Sequence, residues 1–127
     1  KEPSRERVAL KIIPIEGSKK AHLFKGEASL LMQMDSDRVV RVFNLFENKN
    51  VIVLEMELMQ GVTLKEDMIA KFLDHKREYF YSEEECSMIL QCLLEGLAYL
   101  HRNNVVHRDI KPENLMLMEE GNYSTMK

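Results

Sequence analysis

Cysteine, long apolar runs and charge of one sign are all scarce in this chain of 127 residues. Its two cysteines, Cys86 and Cys92, are six positions apart in a helical pattern, which places them on different helix faces, too far apart for a disulfide. We therefore predict buried, reduced thiols, which are typical of cytosolic or nuclear proteins. No apolar run approaches the ~20 residues of a membrane-spanning helix, and the first residues lack the pattern of a secretory signal peptide.

The charge balance excludes other classes of partner. The chain has 18 Lys and Arg against 21 Asp and Glu, and a net charge of −3 is too small to indicate a nucleic acid or a membrane surface as the partner.

His22, His75 and His101 have no Cys or His partner at metal-ligand spacing, so we expect no zinc site. With 45% hydrophobic and 31% charged residues, the chain suits one domain with a real core.

The first half of the chain predicts a mixture of strands and a helix. Apolar and β-branched runs indicate strands, polar residues between two such runs indicate a hairpin, and apolar residues at helical spacing indicate a helix. The predicted elements are a strand over 7–13, a connection over 14–20, a helix over about 20–34, and hairpin strands over 39–46 and 51–58.

The second half predicts two capped helices and a polar loop. Thr63 and Glu66 form a capping-box pattern that opens a helix to about His75, and Ser82 and Glu85 open a longer one. The apolar face of the longer helix is predicted to consist of Ile89, Leu93, Leu97 and Leu100. After the loop we predict a short strand over 115–118 and a turn over 120–122.

Residues 107–114 read HRDIKPEN and resemble the catalytic loop of protein kinases. The resemblance implies that Asp109 accepts the hydrogen bond and later the proton of a substrate hydroxyl. Lys111 would reach the transferring phosphate, and the amide oxygen of Asn114 would bind Mg²⁺. A lysine two residues after the aspartate, here Lys111, is the serine/threonine form of the loop. Histidine at its start, His107, packs in the family and does not transfer protons.

Residues 8–11 read VALK and resemble the third strand of the same family. There the lysine, here Lys11, binds the α- and β-phosphates of ATP and pairs with a glutamate on the next helix, for which Glu27 is the match. Taken alone, Lys11 would more often be a surface lysine. The catalytic loop downstream in the right order favours the phosphate role.

Residues 55–61 resemble the hinge of a protein kinase, whose backbone binds adenine. The resemblance implies contacts from the carbonyl of Glu57 and from the N–H and carbonyl of Met59, with Met56 as the gatekeeper behind the adenine. A ligand pocket also needs apolar walls. Ala9 and Met116 would form these walls, and Leu64 would support the floor. Plain core packing is the alternative interpretation of each of these methionines.

Together these resemblances imply an α+β, two-lobed protein kinase-like fold that is truncated, running from the third to the seventh strand of the family. Residues 1–58 would belong to the N-lobe, 59–62 to the hinge and 63–127 to the C-lobe. The implied function is ATP- and Mg²⁺-dependent phosphorylation of Ser and Thr in proteins inside the cell, with the oligomeric state open. The hinge and the strand after Asn114 are similar to those of the calcium/calmodulin-dependent kinases.

The chain also departs from the family pattern. It contains neither the Gly-rich loop expected upstream of Lys11 nor the Asp-Phe-Gly motif expected downstream, and it opens with Lys1. We therefore expect a partial domain that is inactive and poorly stable by itself. A non-catalytic module or pseudokinase is the alternative, and a small-molecule kinase a weaker one. Degenerate chains usually lose the residues that match Lys11 or Asp109, and both are present. Glu113 either selects basic substrates, as in some relatives, or is a solvated acid.

Overall fold

The computed structural model describes residues 7–15, 26, 29–74 and 80–127. The described residues form one antiparallel sheet, two complete α-helices and two short 3₁₀ helices, so the predicted α+β class is confirmed. Residues 26 and 29–31 are also helical, and the rest of the helix predicted over about 20–34 lies largely outside the described residues. The chain divides into two compact units. The first comprises residues 1–35 and 39–58, and the second comprises 36–38 and 59–127.

The first unit contains a three-stranded sheet of β1 (Val8–Pro14), β2 (Val42–Glu47) and β3 (Val51–Glu57). The order is β1-β3-β2, and both pairings are antiparallel. The turn between β2 and β3 forms because the side-chain oxygen of Asn48 accepts hydrogen bonds from the N–H groups of Asn50, at 2.8 Å, and Val51, at 3.0 Å. The predicted hairpin is confirmed, although β2 begins at Val42 rather than at residue 39.

One face of this sheet carries the core of the first unit. In β1 and β3 the register pairs Ala9 with Met56 and Lys11 with Leu54. Because alternate residues of a strand point to the same face, all four lie on one side of the sheet. The core on this side consists of buried Val42, Ile52 and Leu54, against which Ile13, Ile15, Leu31, Leu45 and Met56 pack.

The second unit is built on two helices, α1 (Leu64–Leu73) and α2 (Glu83–Arg102). At the start of α1, Thr63 Oγ1 accepts from the N–H of Glu66 at 3.2 Å, and the Glu66 carboxylate accepts from the N–H of Thr63 at 2.8 Å. Ser82 and Glu85 form the same reciprocal pair at α2. Both predicted capping boxes are confirmed, and each typically contributes about 1 kcal/mol. In the described part of the chain, neither helix is long and apolar enough to cross a bilayer.

The buried face of α2 differs from the predicted one. Ile89 and Leu100 are buried as expected, but Cys92 and Gly96 complete the face in place of Leu93 and Leu97, which are half-buried. The cause is a close backbone contact, since a Cβ on Gly96 would lie 3.1 Å from the carbonyl oxygen of Arg38. A helical pattern of apolar side chains cannot predict a buried face that includes a glycine, because glycine has no apolar side chain.

The predictions for the cysteines and for residues 115–118 are each partly wrong. Cys92 is buried, but Cys86 is exposed, in the first turn of α2 on its solvent side. Residues 115–118 form no strand, only an isolated bridge between Thr63 and Met116. This segment is held by separate backbone hydrogen bonds, from Leu64 N–H to the carbonyl of Leu115 and from Leu117 N–H to the carbonyl of Val62. Gly121, in the predicted turn, has a φ of +75° that suits glycine.

A buried carboxylate lies beside the core of the second unit. Asp67 is 9% exposed, and it accepts hydrogen bonds from the hydroxyls of Tyr81 at 2.8 Å and Tyr123 at 2.9 Å. Burial, and then the Asp67 carboxylate, raise the pKa of Tyr81. This cluster joins α1 to the segment before α2 and to the C-terminal 3₁₀ helix (Tyr123–Thr125).

We expect Asp67→Ala to lower the free energy of unfolding by about 2–4 kcal/mol, because two tyrosine hydroxyls lose their acceptor in a partly desolvated site. Urea denaturation of the full-length protein measures the change. Glu120→Ala, at an exposed turn position, is the matched control and should change stability by less than about 0.5 kcal/mol. An Asp67→Ala effect as small as that of the control would show that the cluster adds no stability.

Candidate active site

The end of α2 leads into the loop of residues 105–111 through a sharp change of direction. The side-chain amide of Asn103 donates to the carbonyl of Tyr99 at 2.9 Å, which caps the last turn of the helix. Asn104 then adopts the left-handed conformation, with φ of +59°. The N–H of Val105 returns to the carbonyl of Leu100 at 2.9 Å. The helix therefore ends at a defined point from which the loop extends.

The three residues predicted to be catalytic are brought together in this loop. Lys111 Nζ lies 2.9 Å from Asp109 Oδ2. The side-chain amide of Asn114 donates both to the backbone carbonyl of Asp109, at 2.8 Å, and to the same Oδ2, at 2.9 Å. A carboxylate, an ammonium group and an amide thus meet within one hydrogen-bonded cluster.

Local backbone geometry holds this cluster in place. Residues Pro112–Asn114 form a 3₁₀ helix, in which the N–H of Asn114 donates to the carbonyl of Lys111 at 2.9 Å. Arg108 has a φ of +64°, a conformation that costs a residue with a side chain roughly 1 kcal/mol. Backbone strain of this kind is common at functional sites.

The predicted packing role of His107 is wrong. The side chain is exposed, and its Nδ1 accepts a hydrogen bond from the N–H of Asp109 at 3.2 Å. The physical reason is the left-handed turn at Arg108, which folds the backbone of Asp109 back towards the imidazole. His107 therefore orients the backbone of the carboxylate residue.

The electrostatics of the cluster keep Asp109 ionised. The hydrogen bond from Lys111, followed by that from Asn114, holds the pKa of Asp109 below its usual value. The same contact with Asp109 raises the pKa of Lys111. Among the described residues, Lys111 and Asn114 contact the carboxylate of Asp109 at Oδ2, which leaves Oδ1 to accept a hydrogen bond from a substrate. An ionised and exposed carboxylate can position a hydroxyl and later take up its proton.

An ion pair lies beside the cluster. Lys65, near the start of α1, lies 3.0 Å from the carboxylate of Glu113 in the 3₁₀ helix. Both side chains form part of the edge of an open, largely apolar groove of about 400 Å³. The sequence did not reveal the role of Lys65, because 48 residues separate it from Glu113. The groove is lined by Lys65, Met68, Ile69, Phe72, Phe80, Pro112 and Glu113.

The second unit also contains three residues of the predicted adenine pocket, of which Leu64 was predicted to support the floor. Met59 and Leu64 are buried, and Leu64 belongs to the main core of this unit. Met116 is half-buried between two buried leucines, Leu115 and Leu117. Within the described parts of the chain, no hydrogen bond involves the backbone of Met59. The predicted adenine contacts of its N–H and carbonyl stay a prediction.

The other predicted nucleotide-binding residues belong to the first unit. Ala9, Lys11 and Met56 share the core face of the sheet, and Lys11 is exposed. Glu57 is tied to Arg41, since its N–H donates to the Arg41 carbonyl at 2.9 Å and its carboxylate accepts from the Arg41 N–H at 3.2 Å. Glu27 lies outside the described residues, so its pairing with Lys11 stays a prediction.

Asn114 is the residue that the sequence predicts to bind Mg²⁺. In the described ranges, no group of three or more His, Cys, Asp or Glu side chains forms a metal-binding cluster. Mg²⁺ usually takes one or two oxygen ligands from the protein and completes its shell with water and phosphate. The amide nitrogen of Asn114 donates to Asp109, so its amide oxygen is the side-chain atom that would serve as such a ligand, and this role stays a prediction.

Comparisons with known proteins identify the family. The model of the protein kinase domain matches residues 1–127. A probable myosin light chain kinase from Dictyostelium discoideum is 36% identical over 114 residues, covering 90% of this chain and 34% of that protein. A calcium/calmodulin-dependent protein kinase type II from Caenorhabditis briggsae is 35% identical over 101 residues, covering 80% of this chain and 18% of that protein.

A third relative, calcium-dependent protein kinase 4 from Plasmodium berghei (strain Anka), is 35% identical over 91 residues, covering 72% of this chain and 16% of that protein. The chain therefore spans about a third or less of the length of these relatives. The predicted similarity to the calcium/calmodulin-dependent kinases is confirmed. With a family match over its whole length, the chain belongs to the protein kinase domain family.

Proposed function

We propose that the chain is part of a larger kinase domain that transfers the γ-phosphoryl group of ATP to serine and threonine hydroxyls of protein substrates. The cluster of Asp109, Lys111 and Asn114 carries this proposal, because phosphoryl transfer needs positioned charges more than covalent chemistry. The alternative of a pseudokinase is disfavoured, since all three of these side chains are present and lie within one hydrogen-bonded cluster.

In the proposed reaction, Asp109 accepts a hydrogen bond from the substrate hydroxyl and aims its oxygen at the γ-phosphorus. A bond forms between that oxygen and phosphorus as the bond from phosphorus to the β-phosphate oxygen breaks, which releases ADP. The hydroxyl proton passes to Asp109. Lys111 moves from Asp109 Oδ2 towards the phosphoryl oxygens and offsets their negative charge. When bound, Mg²⁺ would neutralise phosphate charge, with Asn114 as one of its ligands.

The residues of the first unit would hold the nucleotide. Lys11 lies on an otherwise apolar sheet face, and its side chain is exposed, so its ammonium group is accessible to a phosphate. The predicted partner Glu27 would hold the ammonium group in position. Ala9 and Met56 would contact the adenine ring, and Glu57 would offer it a backbone carbonyl. In the second unit Met59 and Met116 would complete the adenine contacts, and Leu64 would support the floor of the pocket.

The preference for serine and threonine rests on Lys111, which occupies the position typical of kinases with that specificity. We expect the full-length protein to transfer ³²P from labelled ATP to Ser and Thr peptides at least tenfold faster than to matched Tyr peptides. A positional peptide library with Ser, Thr or Tyr as the single hydroxyl residue measures the three rates. Equal transfer to Tyr would refute the specificity, and transfer to none would refute the proposed function.

A further inference from the structure

The ion pair between Lys65 and Glu113 is the feature outside the catalytic cluster that bears most directly on substrate choice. Glu113 lies between Pro112 and Asn114 in the 3₁₀ helix of the catalytic loop. It is four positions from Asp109, so at most about 14 Å of chain separates their Cα atoms. A peptide that places its hydroxyl at Asp109 therefore runs within a few residues of the Glu113 carboxylate.

An acid at this place would by itself attract a basic residue of the peptide. In this protein the carboxylate already has a cationic partner, since Lys65 Nζ lies 3.0 Å from its Oε1. The contact with Lys65 is also the main reason that the pKa of Glu113 lies below its usual value. The other nearby cation, Lys111, is bound to Asp109. About half of each side chain is exposed, 53% for Lys65 and 42% for Glu113. A basic residue of the substrate must therefore compete with Lys65 for the Glu113 carboxylate.

We infer that Lys65 is a specificity-determining residue, which masks the charge of Glu113 and so weakens any preference for Arg or Lys at the adjacent position of the substrate. This inference rests on the proposed kinase function. It is a property of this chain's own pair of residues, because the masking depends on a lysine at position 65 and an acid at position 113.

The test compares kcat/KM for two peptides that differ only by Arg or Gln, at each position flanking a single serine, with the full-length protein. Lys65→Gln should raise the ratio of Arg to Gln peptide roughly three- to tenfold at one flanking position, because one unit charge is unmasked near the surface. Lys65→Arg should keep the original ratio, since a guanidinium group can replace the ion pair. The double variant Lys65→Gln, Glu113→Gln should lose the gain.

Lys49→Gln is the matched control, because it removes the same charge at an exposed position of the β2–β3 turn. It should leave the ratio unchanged. An unchanged ratio in Lys65→Gln, an equal gain in Lys49→Gln, or a gain that persists in the double variant would each overturn the inference while the kinase function stands. A wild-type protein that phosphorylates none of the peptides would overturn the proposed function, and the inference with it.

Discussion

Asp109→Asn is expected to lower the rate of phosphoryl transfer by about 10²- to 10⁴-fold, the range for loss of a positioned general base. Asparagine has the same shape and can still accept hydrogen bonds through one oxygen. It has no negative charge for Lys111 and cannot take up the hydroxyl proton. The loss should therefore fall on kcat, with little change in the KM for ATP. Labelled-phosphate transfer to the best peptide of the library measures both constants.

A change in folding would not explain this loss. Asp109 is exposed, and surface substitutions usually alter stability by less than about 0.5 kcal/mol, so the melting temperature should stay within a few degrees of wild type. Asp37→Asn makes the same chemical change at another exposed position and should retain full activity. Wild-type turnover in Asp109→Asn would remove this carboxylate from the mechanism.

Lys11→Met is expected to reduce kcat/KM for ATP by about 10²- to 10³-fold, the typical loss when one charged or hydrogen-bonding group on a transferring phosphate is removed. Methionine preserves the length and apolar stem of lysine. It should fit the sheet face that Lys11 shares with Ala9 and Leu54. The sheet should therefore persist, and circular dichroism should report unchanged strand content.

The control for this variant is Lys49→Met, which replaces a lysine of the same unit in an exposed turn. It should leave kcat/KM for ATP unchanged. If Lys11→Met and Lys49→Met were equally active, Lys11 would be an ordinary surface lysine of strand β1, the alternative that the four-residue motif leaves open when taken alone.

Local interactions made much of the fold predictable from the sequence. Both capping boxes join residues three positions apart, so Thr63 and Ser82 marked helix starts correctly. The hairpin was visible because its turn residues, including Asn48, are contiguous with its strands. The buried face of α2 was not predictable, because the glycine at position 96 is required by a close contact with the backbone of Arg38, which is 58 positions away in sequence. The exposure of Cys86 and the single bridge at Met116 likewise depend on tertiary packing.

The same distinction applies to the site. Asp109, Lys111 and Asn114 lie within six consecutive residues, so one motif identified all three, and the structure shows them in contact with one another. Their roles towards substrate, phosphate and Mg²⁺ stay predictions. The contact between Lys65 and Glu113 joins a helix to a loop far along the chain, and no motif contains both. His107 was misjudged because its exposure depends on the left-handed backbone at Arg108.

The most direct test of the central claim is a crystal structure of the full-length protein with a non-hydrolysable ATP analogue, Mg²⁺ and a serine peptide. We expect the serine hydroxyl to lie within about 2.6–3.2 Å of the Asp109 carboxylate and the amide oxygen of Asn114 to coordinate the metal ion. A peptide hydroxyl bound away from Asp109, with the phosphates held by residues other than Lys11 and Lys111, would contradict it.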